Sequence, residues 1–137
     1  MKLLDTVKSL IECMPSPRMF EGYNIPISES RVLNLHLPRR SGKTTTIKAL
    51  SKEYSSIVLV PGYVYRDVMG YAAHEAFVDL DEVSRTFRGT KSCGLRYRYI
   101  LIDESTNIRL PALVSFLKSC DILESDYRII QLGTTVR

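Results

Sequence analysis

The chain has 137 residues, 45% hydrophobic and 25% charged, which is the balance of one globular domain and excludes disorder along most of its length. No apolar run approaches the roughly 20 residues of a membrane span, and Met1-Lys2-Leu3-Leu4-Asp5, without a continuous apolar stretch or a small-residue cleavage site, is not the expected start of a signal peptide. The net charge is +4, and residues 1–60, with nine basic and five acidic groups, hold the whole excess.

In chain order, Leu3, Leu4, Val7, Leu10, Ile11 and Met14 recur at helical spacing and predict an amphipathic helix over 3–14, ended by Pro15 and Pro17. Residues 15–30 hold three prolines and read as a loop. Arg31 to Leu37 reads as a strand that runs straight into Pro38-Arg39-Arg40-Ser41-Gly42-Lys43-Thr44, and a helix follows to about Tyr54. Ser56 to Val60 is a second strand, stopped by Pro61-Gly62. Its unbroken aliphatic run suits a strand buried on both faces of a parallel sheet. Residues 63–90 are the least legible stretch; helices over Val64–Ala76 and Val78–Phe87 fit it, and Gly89 and Gly94 bracket a loop. Arg98 to Ile102 is a third strand ending at Asp103-Glu104, Pro111 to Ser119 a helix, and Tyr127 to Leu132 a fourth strand followed by Gly133-Thr134-Thr135. Strands alternating with helices predict an α/β fold: a parallel sheet with right-handed crossovers and flanking helices. There is no internal repeat.

Cys13, Cys93 and Cys120 form no Cys-x-x-Cys pair, which argues against a disulfide scaffold and a structural zinc site. His36 and His74 stand alone. These features fit a reducing, intracellular setting, so the expected location is the cytoplasm.

Arg85, Arg88, Lys91, Arg96 and Arg98 lie within 85–98, a stretch without an acid. Such a cluster suits a phosphate backbone and makes Arg85, Arg88, Lys91 and Arg96 candidate nucleic-acid contacts. The competing reading is a solvated loop balanced by Asp79, Asp81 and Glu82 just before it.

The strongest local signal is Ser41-Gly42-Lys43-Thr44 between a strand and a helix. Backbone N–H groups of a tight loop and a helix N-terminus point at phosphate oxygens, and Gly42 permits close approach. Lys43 then reaches the β and γ phosphates, and the Thr44 hydroxyl ligates Mg2+. The full P-loop pattern has a first glycine where this chain has Leu37. The second signal is Asp103-Glu104 at the carboxyl end of an apolar strand, where ligands bind in open α/β sheets. Asp103 is the expected holder of the metal shell, and Glu104 the group that orients and deprotonates an attacking water. Together the two signals predict a magnesium-nucleotide site.

Phosphate loop, apolar strand and Asp-Glu together resemble the additional-strand, catalytic-glutamate division of P-loop ATPases. Arg39-Arg40-Ser41-Gly42-Lys43-Thr44 looks like the deviant P-loop of large terminase subunits, the motors that pack viral DNA into capsids. Ile57 to Pro61 is similar to the second strand of terminases and of superfamily 1 and 2 helicases, and Gly133-Thr134-Thr135 is similar to their coupling motif. The resemblance covers roughly 31–136. It implies a RecA-like P-loop NTPase core over 31–137, a single minimal domain preceded by a helix and loop over 1–30. It implies a viral ATPase that hydrolyses ATP with Mg2+ and acts on double-stranded DNA in packaging or remodelling. A homo-oligomeric ring or viral partner proteins, and a host cytoplasm or nucleus, follow from the same likeness.

Carried over residue by residue, the nucleotide-binding set is Arg39, Arg40, Ser41, Gly42, Lys43, Thr44 and Thr45. The catalytic set is Lys43, Glu104 and Arg40, with Arg40 or Arg39 as the P-loop arginine that stabilises charge on the γ phosphate. By the same likeness, Thr44 and Asp103 match the metal residues, and Thr134 and Thr135 match the coupling residues that link the γ phosphate to movement on nucleic acid. Arg109 or Arg137 is a candidate arginine for a neighbouring subunit. The chain departs from the family in lacking a nuclease carboxylate cluster and the glutamine adenine motif, since its one glutamine is Gln131. Phe20 or Tyr23 is the candidate to stack on a base instead. Two other functions stay open: a nucleotide-binding module that binds nucleic acid or a partner protein without turnover, and a small nucleoside or nucleotide kinase.

Overall fold

A computed structural model describes residues 2–15, 31–88 and 96–135. The elements are α1 (Lys2–Cys13), β1 (Val32–Leu37), α2 (Lys43–Glu53), β2 (Ser56–Leu59), α3 (Tyr63–Val68), α4 (Leu80–Phe87), β3 (Tyr97–Asp103), α5 (Leu110–Ser119) and β4 (Leu123–Thr134). Phe20, Tyr23, Lys91, Gly89, Gly94, Arg137 and all but Pro15 of the loop expected over 15–30 lie outside the described residues.

The four strands form one sheet in the order β1-β4-β3-β2, and every neighbouring pair is parallel. The parallel α/β architecture expected from the alternating pattern is therefore present. Side chains alternate across the sheet with a period of two. Ile57, Leu59, Ile100, Ile102 and Ile129 pack on α4 and α5 through Val83, Phe87, Leu113, Val114 and Leu117. Val58, Leu101, Ile130 and Leu132 face the other way and pack on α1 and α2 through Val7, Ile11, Ile47 and Leu50. Ile100, Leu101, Ile102, Ile129, Ile130 and Leu132 are fully buried, as expected for central strands covered on both faces. The N-terminal helix belongs to this core. Lys8 Nζ lies 2.6 Å from a Glu53 carboxylate oxygen on α2, and Arg128 of β4 donates to the Ile11 carbonyl at the end of α1.

The middle of the chain departs from expectation. The helix anticipated over Val64–Ala76 ends at Val68. Gly70, at φ 76, closes it with the two hydrogen bonds of a Schellman motif: Tyr71 N–H to Arg66 C=O and Gly70 N–H to Asp67 C=O. The chain then runs back beside β2, where Phe77 N–H donates to Val58 C=O and Val60 N–H to Phe77 C=O. The next helix starts at Leu80 rather than Val78, because the Asp79 carboxylate accepts from Glu82 N–H and sets the N-cap there. The fourth strand starts at Leu123, four residues before the expected Tyr127, and runs to Thr134. Among the described residues no helix is long and apolar enough to cross a membrane.

Candidate phosphate and metal site

The loop between β1 and α2 turns sharply. Arg40 (φ 60) and Gly42 (φ 88) both adopt left-handed conformations, and Gly42 is the N-cap of α2 with no side-chain cap. The helix begins with Thr46 N–H donating to Gly42 C=O, so the N–H groups of Lys43, Thr44 and Thr45 precede the first intrahelical bond. A curled loop feeding an uncapped helix N-terminus is an anion-binding concavity. Ser41 Oγ beside it is buried and makes no hydrogen bond. Arg39 and Arg40 of the turn are exposed, and Thr45 is exposed on the first turn of the helix.

The strand order brings the second half of the site to this loop. β4 lies between β1 and β3, and the C-terminal ends of all three meet on one edge. In register, Leu37 pairs with Thr134 and Leu132 with Asp103. Thr44 Oγ1 donates to Asp103 Oδ2 at 2.8 Å across 59 positions of sequence. Lys43 Nζ lies 3.2 Å from Glu104 Oε2, with 12% and 29% of the two side chains exposed. Thr134 supplies two more donors to the same carboxylate, its N–H to Oε1 at 3.1 Å and its hydroxyl to Oε2 at 2.6 Å. Burial pushes the Glu104 carboxyl up, but the Thr134 and Lys43 hydrogen bonds outweigh it and hold it below the usual carboxylate range.

Glu104 itself is left-handed at φ 74. Its N–H donates to Leu132 C=O, and its C=O accepts from the Gln131 side-chain amide at 3.1 Å. These bonds, all to β4, hold the turn that aims the carboxylate at Lys43.

Asp103 is fully buried. Besides Thr44 it accepts from Tyr65 on α3 and from Tyr71 just after it, each at 2.8 Å. Burial first, and the Asp103 charge with it, push both phenols well above their ordinary value, so both are neutral donors. Neither tyrosine was legible as a site residue, because a phenol six positions from another carries no motif. The signal that places them is the glycine turn at Gly70.

A magnesium ion with a triphosphate suits these groups. The Thr44 hydroxyl and Asp103 carboxylate are hard oxygen donors within hydrogen-bond distance of each other, beside the uncapped helix end. Among the described residues there is no group of three or more His, Cys, Asp or Glu side chains able to hold a metal alone, so the phosphates would supply further oxygens.

The other candidates stand elsewhere. Thr135 donates its N–H to Leu37 C=O in the sheet and exposes its side chain, so Thr134 alone of the pair touches Glu104. Arg85 and Arg88 lie on the exposed side of α4, and Arg96 is bound to Asp121 at 3.2 Å just before β3. The seven residues of β3, at roughly 3.3 Å each, separate that end from Asp103 by about 20 Å. The acids just before the cluster are mostly committed to other groups. Asp79 caps α4 and accepts from Tyr63, and Glu82 binds Arg66. Arg109 is exposed before α5. No protein-family model, curated protein or solved structure matches the chain.

Proposed function

We propose that the chain is a magnesium-dependent ATPase of the P-loop, additional-strand type, similar to terminase and helicase motors. What carries the reading is the meeting of Lys43 with Glu104 and of Thr44 with Asp103, pairs remote in sequence and joined at one sheet edge. An additional strand between the loop strand and the carboxylate strand is in keeping with it.

In this reading the α2 N-terminus and Lys43 bind the β and γ phosphates. Magnesium, held by Thr44 and Asp103, would neutralise charge on the phosphate oxygens. Glu104 gives up Lys43 to the phosphates and takes a proton from water as that water attacks γ phosphorus and the bond to the β–γ bridging oxygen breaks. Arg40, exposed beside the loop, is the proposed stabiliser of developing charge. Double-stranded DNA as the polymer acted on, Arg85, Arg88, Lys91 and Arg96 as its contacts, a ring or viral partners, and a genome-packaging or remodelling role belong to the same proposal.

The test is phosphate release from ATP, with and without DNA, for the wild type, Lys43→Ala and Glu104→Gln. Each variant is expected to lose at least about 100-fold in rate, the size of a lost acid–base or charge-stabilising group. Equal rates in all three proteins would exclude hydrolysis at this site.

A further inference from the structure

Asp103 bears a carboxylate with no exposed surface and, among the described residues, no cationic partner within salt-bridge distance. Three hydroxyls satisfy it instead. Thr44 and Tyr71 donate to Oδ2, and Tyr65 donates to Oδ1, each at 2.8 Å. A carboxylate has about four acceptor sites, so three are taken, and both oxygens are engaged. One donor would leave the group free to turn about its Cβ–Cγ bond; donors on both oxygens fix its plane.

The two phenols are themselves held. Tyr71 follows the Gly70 turn, and its ring lies under the Lys48 ammonium, 4.8 Å from the ring centroid. Lys48 also donates to Met69 C=O at 2.6 Å. It lies one helical turn beyond Thr44 on α2. The helix that carries Thr44 thus grips Tyr71, and Tyr71 donates to the carboxylate that accepts the Thr44 hydrogen bond. Tyr65 reaches the other oxygen from α3, whose outer side is exposed at Tyr63, Val64 and Val68.

We infer that Tyr65 and Tyr71 are positioning residues of a divalent-cation site: they hold Asp103 so that Oδ2 accepts the Thr44 hydroxyl hydrogen bond and the Thr44 lone pairs are left for the cation. The inference rests on the phosphate-site reading above. Neither tyrosine touches a reacting atom. Both act through Asp103, as partners of metal-site ligands commonly do.

The experiment measures affinity of the full chain for adenosine 5′-O-(3-thiotriphosphate) in excess Mg2+ and in EDTA. The ratio of the two affinities isolates the metal's contribution. Mn2+ binding to the protein–nucleotide complex, followed by electron paramagnetic resonance, gives a second readout. Tyr65→Phe and Tyr71→Phe are expected to keep the EDTA affinity and to lose about tenfold in both the ratio and the Mn2+ affinity. Tyrosines that merely pack α3 on the sheet would lower affinity equally in both media, and that result overturns the inference. So does a wild-type ratio retained by both variants. Should Tyr71→Phe unfold the chain, Tyr65→Phe, at a more open position, carries the same comparison. A wild-type chain that binds no nucleotide in either medium removes the phosphate-site reading and this inference together. A wild-type metal effect that both variants keep removes this inference alone.

Discussion

Glu104 adopts φ 74, a conformation that costs a non-glycine residue about 1–2 kcal/mol. Bonds to Leu132, Gln131 and Thr134, all on β4, offset that cost and turn the carboxylate toward Lys43. Gly133 lies within this cradle, and a Cβ there would meet the Glu104 carbonyl oxygen at 3.1 Å. Gly133→Ala is therefore expected to cost about 1 kcal/mol of stability, measured by urea unfolding, as mild overpacking does. It should cost phosphate release more than it costs nucleotide affinity, because Glu104 moves while the α2 N-terminus does not. Equal losses in both would put Gly133 outside the catalytic geometry. Lys43, Thr44, Asp103 and Glu104 were legible as candidates because their types stand in sequence at a helix start and a strand end, and the fold brings them together. Gln131, Tyr65 and Tyr71 were not, since their contacts depend on which strands and turns come together.

The elements were legible where hydrophobic period and punctuation agreed. The strands at Val32–Leu37 and Ser56–Leu59 and the helix at Lys43–Glu53 fall within a residue or so of expectation. Between Tyr63 and Phe87 the periodicity is compatible with long helices, and local signals override it: Gly70 stops one helix and Asp79 starts the next. Asp79 accepts from the Tyr63 hydroxyl and from Glu82 N–H, and these bonds hold its carboxyl below the usual range. A carboxyl depressed in the folded state adds stability above its unfolded value near 4, and that stability is lost as pH falls through the folded value. Asparagine caps a helix about as well as aspartate but does not titrate. Asp79→Asn should match the wild type within about 0.5 kcal/mol at pH 7 and lose less stability than it on acidification below pH ~4. Urea midpoints at pH 7, 4 and 2.5 check this; parallel acid losses in both proteins would disconnect Asp79 from the acid response.

At the scale of the molecule, the start of β3 beside Arg96 and the edge that carries Asp103 lie at opposite ends of one sheet. Arg96 and Arg98 are already matched by Asp121 and Asp126, whereas, among the described residues, Arg85 on α4 and Arg88 at its C-cap bond to Asp81 and Ser84 of the same helix. If DNA docks there, reversing Arg85 and Arg88 to glutamate should weaken DNA binding. It should also reduce the slope of log affinity against log salt by about 2, near one unit per lost phosphate contact. Nucleotide affinity without DNA should not change, because the bonds of Arg85 and Arg88 run to Asp81 and Ser84 and not to Lys43, Thr44, Asp103 or Glu104. An unaltered salt slope would make the basic segment a solvated surface. The sequence made the cluster visible, but not which acids neutralise it, since Asp121 and Asp126 reach it only through the β3–β4 pairing.

The strand order also dictates when the molecule becomes competent during synthesis. β1 pairs only with β4 within this sheet, and their partnered residues lie about 100 positions apart. A nascent chain leaving the ribosome at 5–20 residues per second therefore carries its lysine loop for roughly 5–20 seconds before the neighbouring strand exists. During that interval β2 and β3 can zip together early, while β1 waits as an unpaired edge. Thr134, the last residue of β4, brings the two donors that hold Glu104, so the cradle of that carboxylate is completed late in the birth of the protein.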